Sequence, residues 1–572
     1  MHTTAPSRAK PPAPTFVELF TPKLVTVLRE GYGLRQLRTD AIAGLTVAIV
    51  ALPLSIAIAI ASGAQPVQGL YAAIFGGFIV SALGGSRFQI GGPAGAFIVL
   101  VAATVSQHGM DGLLLAVLLS GLMLAAIGFL RLGEYIKFIP YPVTVGFTAG
   151  IAIIIFASQL KDMFGLQLSG PEPGPFLEKI PALWSASPTF HWQAFAIAAA
   201  TIAIIETLKR LRPHWPGMLI AVVATALAAV FLNLPIETIG SRYGELPSTP
   251  PLPHLPAFSL EKVRDIFPAA IAFTLLGAIE SLLSAVVADG MTGRRHRSNC
   301  ELVAQGAANV ASSLFGGICV TGTIARTATN VRAGAHGPVS GMLHSLFLLI
   351  FLVVAAPLAA YIPLASLAGV LGVVAWNMIE KPAIATLFRA SRADAAVFAV
   401  TFGLTVFRDL TEAIVVGFAL GSVLFIHRMS TATGVETDTP FVPSDKADTD
   451  DPRGAYHEAG ADPDIVVYRI TGVFFFGAAA SVGSVLERIQ DTHRALIIDF
   501  SAVPFVDSTA AHTIEGLAHK TRKRGVRLIL SGASANVRHD LEAHGLEPPL
   551  VDYARDIDGA RALLAEAAPP AR

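Results

Sequence analysis

Long apolar segments recur along most of this chain and restrict its possible folds more than any other feature. The chain has 572 residues, and a run of about 20 apolar residues is long enough to cross a bilayer as a helix. The fourteen candidate spans, numbered 1 to 14 in chain order, are 42–62, 67–84, 94–107, 111–130, 139–160, 188–208, 216–234, 266–288, 301–317, 323–335, 339–357, 362–379, 394–407 and 410–427. The sequence therefore predicts a polytopic α-helical membrane protein.

Charged residues are distributed unevenly along the chain. The 41 Lys and Arg balance the 41 Asp and Glu, so the formal net charge is 0. Only 38 of the 395 residues in 41–435 are charged, against 35 of the 137 in 436–572, whereas soluble proteins average about 25 %. This distribution argues against a disordered chain and against a basic protein that binds nucleic acid. The predicted domains are a cytoplasmic N-terminal segment at 1–40, a transmembrane domain at 41–430, a linker at 431–463 and a soluble domain at 464–572.

Basic residues between the spans give the orientation. If the crossings alternate from a cytoplasmic N-terminus, 20 Lys and Arg lie on the cytoplasmic side and six on the other. Cytoplasmic loops are enriched in these residues, so both termini are predicted to be cytoplasmic. Residues 17–37 mix apolar and basic side chains, which predicts an amphipathic helix on the membrane surface.

Spans 3 and 10 are shorter than the others. Residues 94–107 and 323–335 are too short to cross alone, and each follows a stretch rich in Gly or Pro. Short, interrupted segments at matching places in two halves are typical of inverted-repeat transporters, whose site lies at the bilayer midplane. The predicted fold class is therefore 14 spans in a 7+7 inverted repeat, followed by an α/β domain.

The starts of spans 3 and 10 predict an anion site. A helix N-terminus has unpaired N–H groups and the positive end of the helix dipole, and Arg326 adds a permanent positive charge. Two such N-termini at the midplane would attract an anion. An alternative for Arg326 is a structural ion pair with Glu280 or contact with lipid headgroups. The candidate binding residues at the helix starts are Gly92, Pro93, Ala94, Gly95, Ala96, Phe97, Thr321, Gly322, Thr323, Ile324, Ala325 and Arg326.

Glu280 is the only acidic residue deep inside a predicted span. An ionisable side chain at that depth is a functional candidate by default. A carboxyl group in such a site can exchange a proton near neutrality, so Glu280 is predicted to couple transport to protons, with sodium as the alternative ion. The competing interpretation is a structural carboxylate that backbone donors or a neighbouring helix satisfy.

Residues 464–572 alternate between strand and helix patterns. The predicted strands are Ile465–Ile470, Val473–Phe476, Ala495–Phe500 and Val526–Ser531, and the predicted helices are 478–490, 509–524, 534–544 and 557–567. The two cysteines have no metal-ligand spacing, and we found no nucleophile–base pair or nucleotide-binding loop. No cofactor or metal is therefore predicted, and an enzyme is disfavoured.

Motifs over nearly the whole chain resemble the SulP anion permease family. The most specific are Asp289-Gly290-Met291-Thr292-Gly293, Asn299-Cys300-Glu301-Leu302, Phe315-Gly316-Gly317 and Ala325-Arg326. In the tail, Asp499-Phe500-Ser501 and Val506-Asp507-Ser508-Thr509 resemble the STAS domain shared with anti-sigma-factor antagonists. Ser508 matches the phosphorylated serine of those antagonists, although a helix N-cap is the simpler interpretation.

The resemblance also implies an architecture and partners. A core domain (spans 1–4 and 8–11) would move past a gate domain (spans 5–7 and 12–14) by an elevator-type mechanism. The expected partners are a small anion, a proton or sodium ion, membrane lipid and a second copy in a homodimer. The expected location is the bacterial inner membrane.

The first span bears on the substrate. Pro53 to Ala59 form an aliphatic wall with Ser55 as its one polar side chain, so Ser55 and Ile58 join the candidate binding residues. Together with Glu280-Ser281-Leu282-Leu283, this wall looks most like the branch of the family that handles C4-dicarboxylates, while sulfate and bicarbonate remain open. The predicted function is a proton-coupled secondary anion transporter. The alternatives are a channel or exchanger of the same fold, a nucleobase permease, or a membrane signalling scaffold that acts through its STAS tail.

Overall fold

The computed structural model describes residues 15–133, 140–170, 172–173, 176–212, 215–408, 410–432, 434–437, 465–475, 479 and 494–566. The chain divides into two compact units, one ending at Phe418 and the other beginning at Ala419. The helices before the C-terminal domain are Phe16–Phe20, Lys23–Arg29, Leu34–Ala61, Pro66–Tyr71, Ala72–Gly76, Gly77–Leu83, Gly95–Phe97, Ile98–Phe129, Tyr141–Phe164, Phe176–Ser185, Ser187–Thr189, Trp192–Leu211, Gly217–Phe231, Ile239–Tyr243, Leu260–Thr292, Ser298–Leu314, Ile324–Arg332, Val339–Ala359, Leu364–Met378, Lys381–Ala390, Arg392–Phe407 and Leu410–Ala432.

A helix lies at each of the fourteen predicted spans. Within the described residues, eight helical stretches are long and apolar enough to cross a membrane by themselves. Spans 3 and 4 form one helical stretch, Gly95–Phe129, that breaks at Gly109, where φ is +69°. Glycine adopts this left-handed conformation without the strain that a side chain would add. The chain can therefore turn there between two helices.

The predicted surface helix over residues 17–37 is wrong as a single element. The structure has two short helices, Phe16–Phe20 and Lys23–Arg29, and the helix of span 1 begins at Leu34. Pro22 is the N-cap of the second helix, and proline lacks the N–H that a continuous helix would need there. Gly31 then adopts a φ of +97°, which ends the second helix before span 1.

The spans pack in two groups, as the core and gate division implies. Spans 1, 2, 4, 8, 9, 10 and 11 pack mainly on one another, and spans 5, 6, 7, 12 and 13 form a second group. Glycine allows the closest contact in the first group. An added Cβ on Gly121 of span 4 would lie 2.7 Å from the carbonyl oxygen of Gly306 on span 9. Small residues at such crossings let helix backbones approach closely in membranes.

The C-terminal unit contains a five-stranded sheet. The strands, in spatial order, are Gly434–Thr437, Ile465–Thr471, Ala495–Ala502, Arg527–Ser531 and Asp552–Ala554. The first pair is antiparallel and the other pairs are parallel. The helices are Ser508–Lys523, Ala535–Ala543 and Ile557–Glu566. Residues 495–500 are buried without alternation, as expected for a central parallel strand covered on both faces.

Three details of the tail differ from the prediction. Strand Gly434–Thr437 lies inside the predicted linker, and strand Asp552–Ala554 was not predicted. In the described part of the predicted strand Val473–Phe476, Phe474 makes an isolated bridge to Val506. Both unpredicted strands are short edge strands, which need little apolar patterning. The predicted helix 478–490 lies almost entirely outside the described residues.

Asp499 ties together three neighbouring strands of this sheet. Its carboxylate is 2 % exposed and accepts hydrogen bonds from Arg469 Nε at 2.9 Å and Ser501 Oγ at 2.7 Å, with Ser531 Oγ at 3.4 Å. Burial alone would raise the pKa of Asp499. The hydrogen bonds from Ser501 and Arg469 outweigh it, so this pKa lies below its usual value. The charged form therefore stabilises the folded domain.

We expect Asp499→Ala to destabilise the C-terminal domain by about 2–4 kcal/mol, because buried donors lose a charged acceptor. Because the pKa of Asp499 is lower in the folded domain, its ionised carboxylate stabilises the folded state fully above the unfolded-state pKa of about 3.9. This stabilisation is lost as the pH falls through the folded-state pKa. The unfolding temperature of the variant should therefore depend less on pH in the acid range. The measurement is the temperature at which the tail of the full-length protein becomes protease-sensitive. Asp552→Ala, which removes a 2.7 Å pair with Arg527 that is about one-third exposed, is the control, and equal shifts would contradict the prediction.

Candidate functional site

Two short strands bring the starts of spans 3 and 10 together. Gly91–Gly92 pairs antiparallel with Thr321–Gly322, with Gly91 opposite Gly322 and Gly92 opposite Thr321. Span 3 begins directly afterwards with a 3-10 turn at Gly95–Phe97. Span 10 begins with helix Ile324–Arg332. The two predicted helix starts therefore lie side by side, and each first turn has N–H groups without an acceptor inside its helix.

Positions 92 and 322 require glycine, because the side chain of another residue lies very close to the backbone at each of them. A Cβ on Gly92 would collide with Nη1 of Arg326, and a Cβ on Gly322 would collide with the side-chain amide of Gln89. Both glycines are buried. They serve the site by letting two long polar side chains cover the paired strands, a contact that the Gly-rich motifs alone did not reveal.

Arg326 lies deep in the core group of helices. Its side chain is 2 % exposed, and Nη2 donates to Ser55 Oγ and to the carbonyl oxygen of Pro93, both at 3.2 Å. Ser55 in turn donates to the carbonyl oxygen of Ala51 at 2.7 Å. No carboxylate of the described residues forms an ion pair with Arg326, so the predicted alternative of a pair with Glu280 is wrong. A buried guanidinium without a counter-ion attracts an anion.

The remaining predicted site residues differ in their exposure. Ile324 is 38 % exposed, Ala325 is exposed and Gly95 is half-buried. A Cβ on Gly95 would contact Met378 Sδ at 3.6 Å and Ile155 Cδ1 at 3.7 Å, so Gly95 faces spans 12 and 5. The structure buries the other residues predicted at these helix starts, together with both candidates from span 1: Gly92, Pro93, Ala94, Ala96, Phe97, Thr321, Gly322, Thr323, Arg326, Ser55 and Ile58.

Glu280 is half-buried and has no hydrogen-bond or ion-pair partner among the described residues. The interpretation of Glu280 as a structural carboxylate satisfied by donors is therefore not supported. The next residue, Ser281, holds this part of span 8 beside the paired strands. Its Oγ lies 3.0 Å from Thr321 Oγ1 and accepts from the N–H of Gly322 at 3.4 Å. Glu280 is thus fixed in position by its neighbour while its own carboxyl group stays unpartnered.

Span 9 contributes polar residues that sequence reasoning missed. Glu301 is fully buried and accepts from the Ser86 N–H at 2.9 Å. Asn309 donates to the carbonyl oxygen of Val320 at 2.8 Å and accepts from the Val320 N–H at 2.9 Å. Glu301, Gln305 and Asn309 are spaced four residues apart, so they lie on one helix face. This polar stripe in an otherwise apolar span was the sequence signal that could have identified these residues.

We expect Asn309→Ala to weaken anion binding and to lower stability by about 2–4 kcal/mol, because it leaves both backbone groups of Val320 unpartnered. Val320 directly precedes the strand Thr321–Gly322, so its release would displace the start of span 10. The measurement is thermal unfolding together with KM for anion uptake. Ser313→Ala is the control, since it removes a buried 2.7 Å bond from the same helix to the carbonyl oxygen of Leu114. An unchanged KM in Asn309→Ala would contradict the prediction.

The N-cap interpretation of Ser508 is wrong. The N-cap of helix Ser508–Lys523 is Asp507, whose Oδ1 accepts from the N–H of Ala510 at 2.9 Å. Ser508 is the first helical residue, and its side chain is exposed. Asp507 is as good an N-cap as serine, and the sequence alone did not decide between the two neighbours.

Comparison with known proteins identifies the family of each part of the chain. Residues 37–401 match the Sulfate permease family and residues 456–557 match the STAS domain. The chain is 40 % identical over 519 residues to the putative sulfate transporter YvdB of Bacillus subtilis, an alignment that covers 90 % of this chain and 95 % of the relative. It is 31 % identical over 519 residues to the bicarbonate transporter BicA of Picosynechococcus, covering 89 % of this chain and 91 % of the relative.

A solved structure shares the fold. The structure of the murine solute carrier 26 family member A9 anion transporter in the inward-facing state matches with a TM-score of 0.84 at 20 % identity, covering 99 % of this chain and 97 % of the other. At this identity the likeness concerns the fold alone. The family match and the relatives together give the identification: this chain belongs to the sulfate permease family of membrane anion transporters and carries a C-terminal STAS domain.

Proposed function

We propose that this protein is a secondary active transporter that couples proton movement to the uptake of a small oxyanion across the bacterial inner membrane. One observation carries the proposal. The starts of spans 3 and 10 are held together by paired strands, beside a buried Arg326 that has no carboxylate partner among the described residues. That arrangement concentrates positive potential at a place where no carboxylate of the described residues pairs with Arg326.

The anion would bind at the exposed edge of the two helix starts. The first N–H groups of spans 3 and 10, around Gly95 and Ile324, are available as donors because they have no acceptor within their own helices. Arg326 would act mainly through its field, since its guanidinium is directed toward Ser55 and Pro93. Charges interact over several ångströms in the low dielectric of a protein interior. A permanent positive charge one turn inside the helix would therefore favour anions over neutral solutes.

Glu280 would couple this binding to protons. An ionised carboxylate beside a bound anion repels it, and protonation removes that repulsion. Glu280 has no partner among the described residues that would hold it in one charge state. Each anion would therefore enter together with a proton on Glu280, and a sodium ion at the same carboxylate is the alternative outcome.

An elevator-type movement suits the contacts around the site. The paired strands bond to each other and to span 8, and Val320, directly before one of them, bonds to span 9 within the core group. Across from them, Gly95 faces the apolar side chains of Ile155 and Met378 on gate helices. Such nonpolar contacts have no directional bonds to break, so the core can slide past the gate with the site intact.

The substrate would be sulfate, bicarbonate or a C4-dicarboxylate. One relative is named as a putative sulfate transporter and another as a bicarbonate transporter, and the aliphatic wall of span 1 resembles the dicarboxylate branch. The test is uptake of labelled sulfate, bicarbonate, fumarate and succinate into proteoliposomes with an acidic exterior, with and without a sodium gradient. We expect saturable accumulation of at least one anion, abolished by a protonophore.

Other outcomes of this assay separate the competing functions. Flux that never saturates and never exceeds equilibrium would identify a channel, and obligatory anion counterflow would identify an exchanger. Uptake of uracil in place of anions would identify a nucleobase permease. Deletion of residues 436–572 addresses the scaffold alternative, because a cellular phenotype that follows the tail while flux is unaffected would favour signalling.

We also propose that both termini are cytoplasmic and that the protein is a homodimer. The excess of Lys and Arg on one side of the spans supports the orientation. The test is protease protection of N- and C-terminal tags in sealed right-side-out vesicles, combined with mass determination of the purified protein in detergent. Digestion of either tag from the outside, or a monomer mass, would contradict the respective proposal.

A further inference from the structure

Unpartnered polar atoms are concentrated in one part of the core. Eight buried side-chain nitrogen and oxygen atoms lack a hydrogen-bond partner in the described part of the chain, and seven of them belong to four residues. These atoms are the amide of Gln89, Nε and Nη1 of Arg326, Oδ1 of Asn330 and both ring nitrogens of His344. The four side chains are at most 3 % exposed, so bulk solvent does not satisfy them.

The four residues lie together although they come from three segments. Asn330 follows Arg326 by one turn of the same helix, and positions four apart share a face. The Nδ2 group of Asn330 donates to the carbonyl oxygen of Phe88 at 2.9 Å, which brings it next to Gln89. His344, on span 11, lies three residues after Gly341, and a Cβ on Gly341 would lie 3.1 Å from Ile90 Cδ1. Positions three apart share a helix face, so the face that carries His344 packs on the residue next to Gln89.

The polar atoms include both donors and acceptors. Arg326 offers N–H groups only, whereas Asn330 offers a carbonyl oxygen at its unpartnered atom. The amide of Gln89 offers both donors and an acceptor, and an imidazole such as that of His344 offers a donor and an acceptor in its neutral form. A fully deprotonated oxyanion such as sulfate accepts hydrogen bonds but donates none, so it would leave the acceptors of this cluster without a donor. Water both donates and accepts, and buried water typically bonds to about three otherwise unsatisfied groups.

We propose that Gln89, Arg326, Asn330 and His344 form an internal hydration site, a set of bound water molecules within the core on the buried side of Arg326. Unsatisfied polar groups are especially unfavourable in a membrane protein, where lipid provides no replacement. An intramembrane histidine generally faces a water-filled space or a functional path. The role of this water in anion binding rests on the proposed function. Water on this side would solvate the guanidinium while the anion binds at the exposed helix starts, so Arg326 needs no carboxylate partner.

Radiolytic labelling with isotopically labelled water tests the hydration directly and needs no transport. Hydroxyl radicals formed at bound water modify adjacent side chains, so we expect His344 to be labelled although its exposure is 0 %. Phe273 is the control, since it is 1 % exposed and stacks on Phe97. Labelling of His344 no greater than that of Phe273 would overturn the proposal, even if anion transport is established.

Two variants test the role of the water in anion binding. His344→Gln keeps a donor and an acceptor, whereas His344→Phe removes both with little change in size. We expect KM to rise about tenfold in His344→Phe and to stay within about twofold in His344→Gln, with kcat little changed in both. A wild-type KM in His344→Phe would overturn the proposal. An equal rise of KM in both variants would also overturn it, because it would mean that His344 acts only by packing. Absence of transport in the wild-type protein would count against the proposed function and would leave the labelling result valid.

Discussion

Replacing Glu280 with Gln should abolish accumulation driven by a pH gradient while downhill anion flux continues. Glutamine has nearly the shape of the protonated carboxyl group, so it preserves the state that we expect to bind the anion, but it cannot release a proton. A gradient of one pH unit supports up to about tenfold accumulation per coupled proton. In Glu280→Gln this ratio should fall to about one, as measured by labelled anion inside proteoliposomes at equilibrium.

A matched variant separates coupling from a general effect of removing a charge. Glu206 lies on span 6, in the gate group, and approaches Lys209 at 3.5 Å on an exposed face. Glu206→Gln should therefore keep the pH-driven accumulation of the wild-type protein. Retention of that accumulation in Glu280→Gln would remove Glu280 from the coupling step. Loss in both variants would point to an effect on folding or on surface charge.

The positions of the helices could be predicted because the bilayer imposes a simple rule. A spanning helix must satisfy its backbone internally and present apolar side chains, so each apolar run in the sequence corresponds to a helix. The rule weakens at the membrane surface. There the helix predicted over 17–37 is divided at Pro22 and Gly31. The edge strands Gly434–Thr437 and Asp552–Ala554 form by pairing with a neighbour, which their own sequence does not encode.

The pairing of the two helix starts was predicted, but the contacts around them were not. Gly, Pro and Arg near two short spans indicated paired helix starts, because a broken helix leaves a recognisable local signal. The hydrogen-bond partner of each buried polar group depends on how segments distant in sequence pack together. The bonds of Arg326 to Ser55 and of Asn309 to Val320, and the absence of a Glu280 pair among the described residues, had no local signal. The polar stripe of span 9 and His344 were visible in the sequence but could not be assigned partners.

Replacing Gly92 with Ala should weaken anion binding strongly through its effect on Arg326. The added methyl group would collide with Arg326 Nη1, so the guanidinium must move from its bonds to Ser55 and Pro93. We expect KM for anion uptake to rise about tenfold or more, which corresponds to at least about 1.4 kcal/mol. Gly277→Ala is the control, because its Cβ would meet Leu124 Cδ1 at an ordinary 3.5 Å, and its KM should stay at the wild-type value.

The double variant shows whether Arg326 carries the effect. Arg326→Ala removes the guanidinium, and we expect it to raise KM by about a hundredfold. Once the guanidinium is absent, the methyl group at position 92 has nothing to displace. Gly92→Ala should then add little to Arg326→Ala, because mutations that act through one contact are not additive. Additive effects in the uptake assay would mean that Gly92→Ala acts on the paired strands directly. In that case the close approach of Arg326 to Gly92 would not be what sets the affinity of the site.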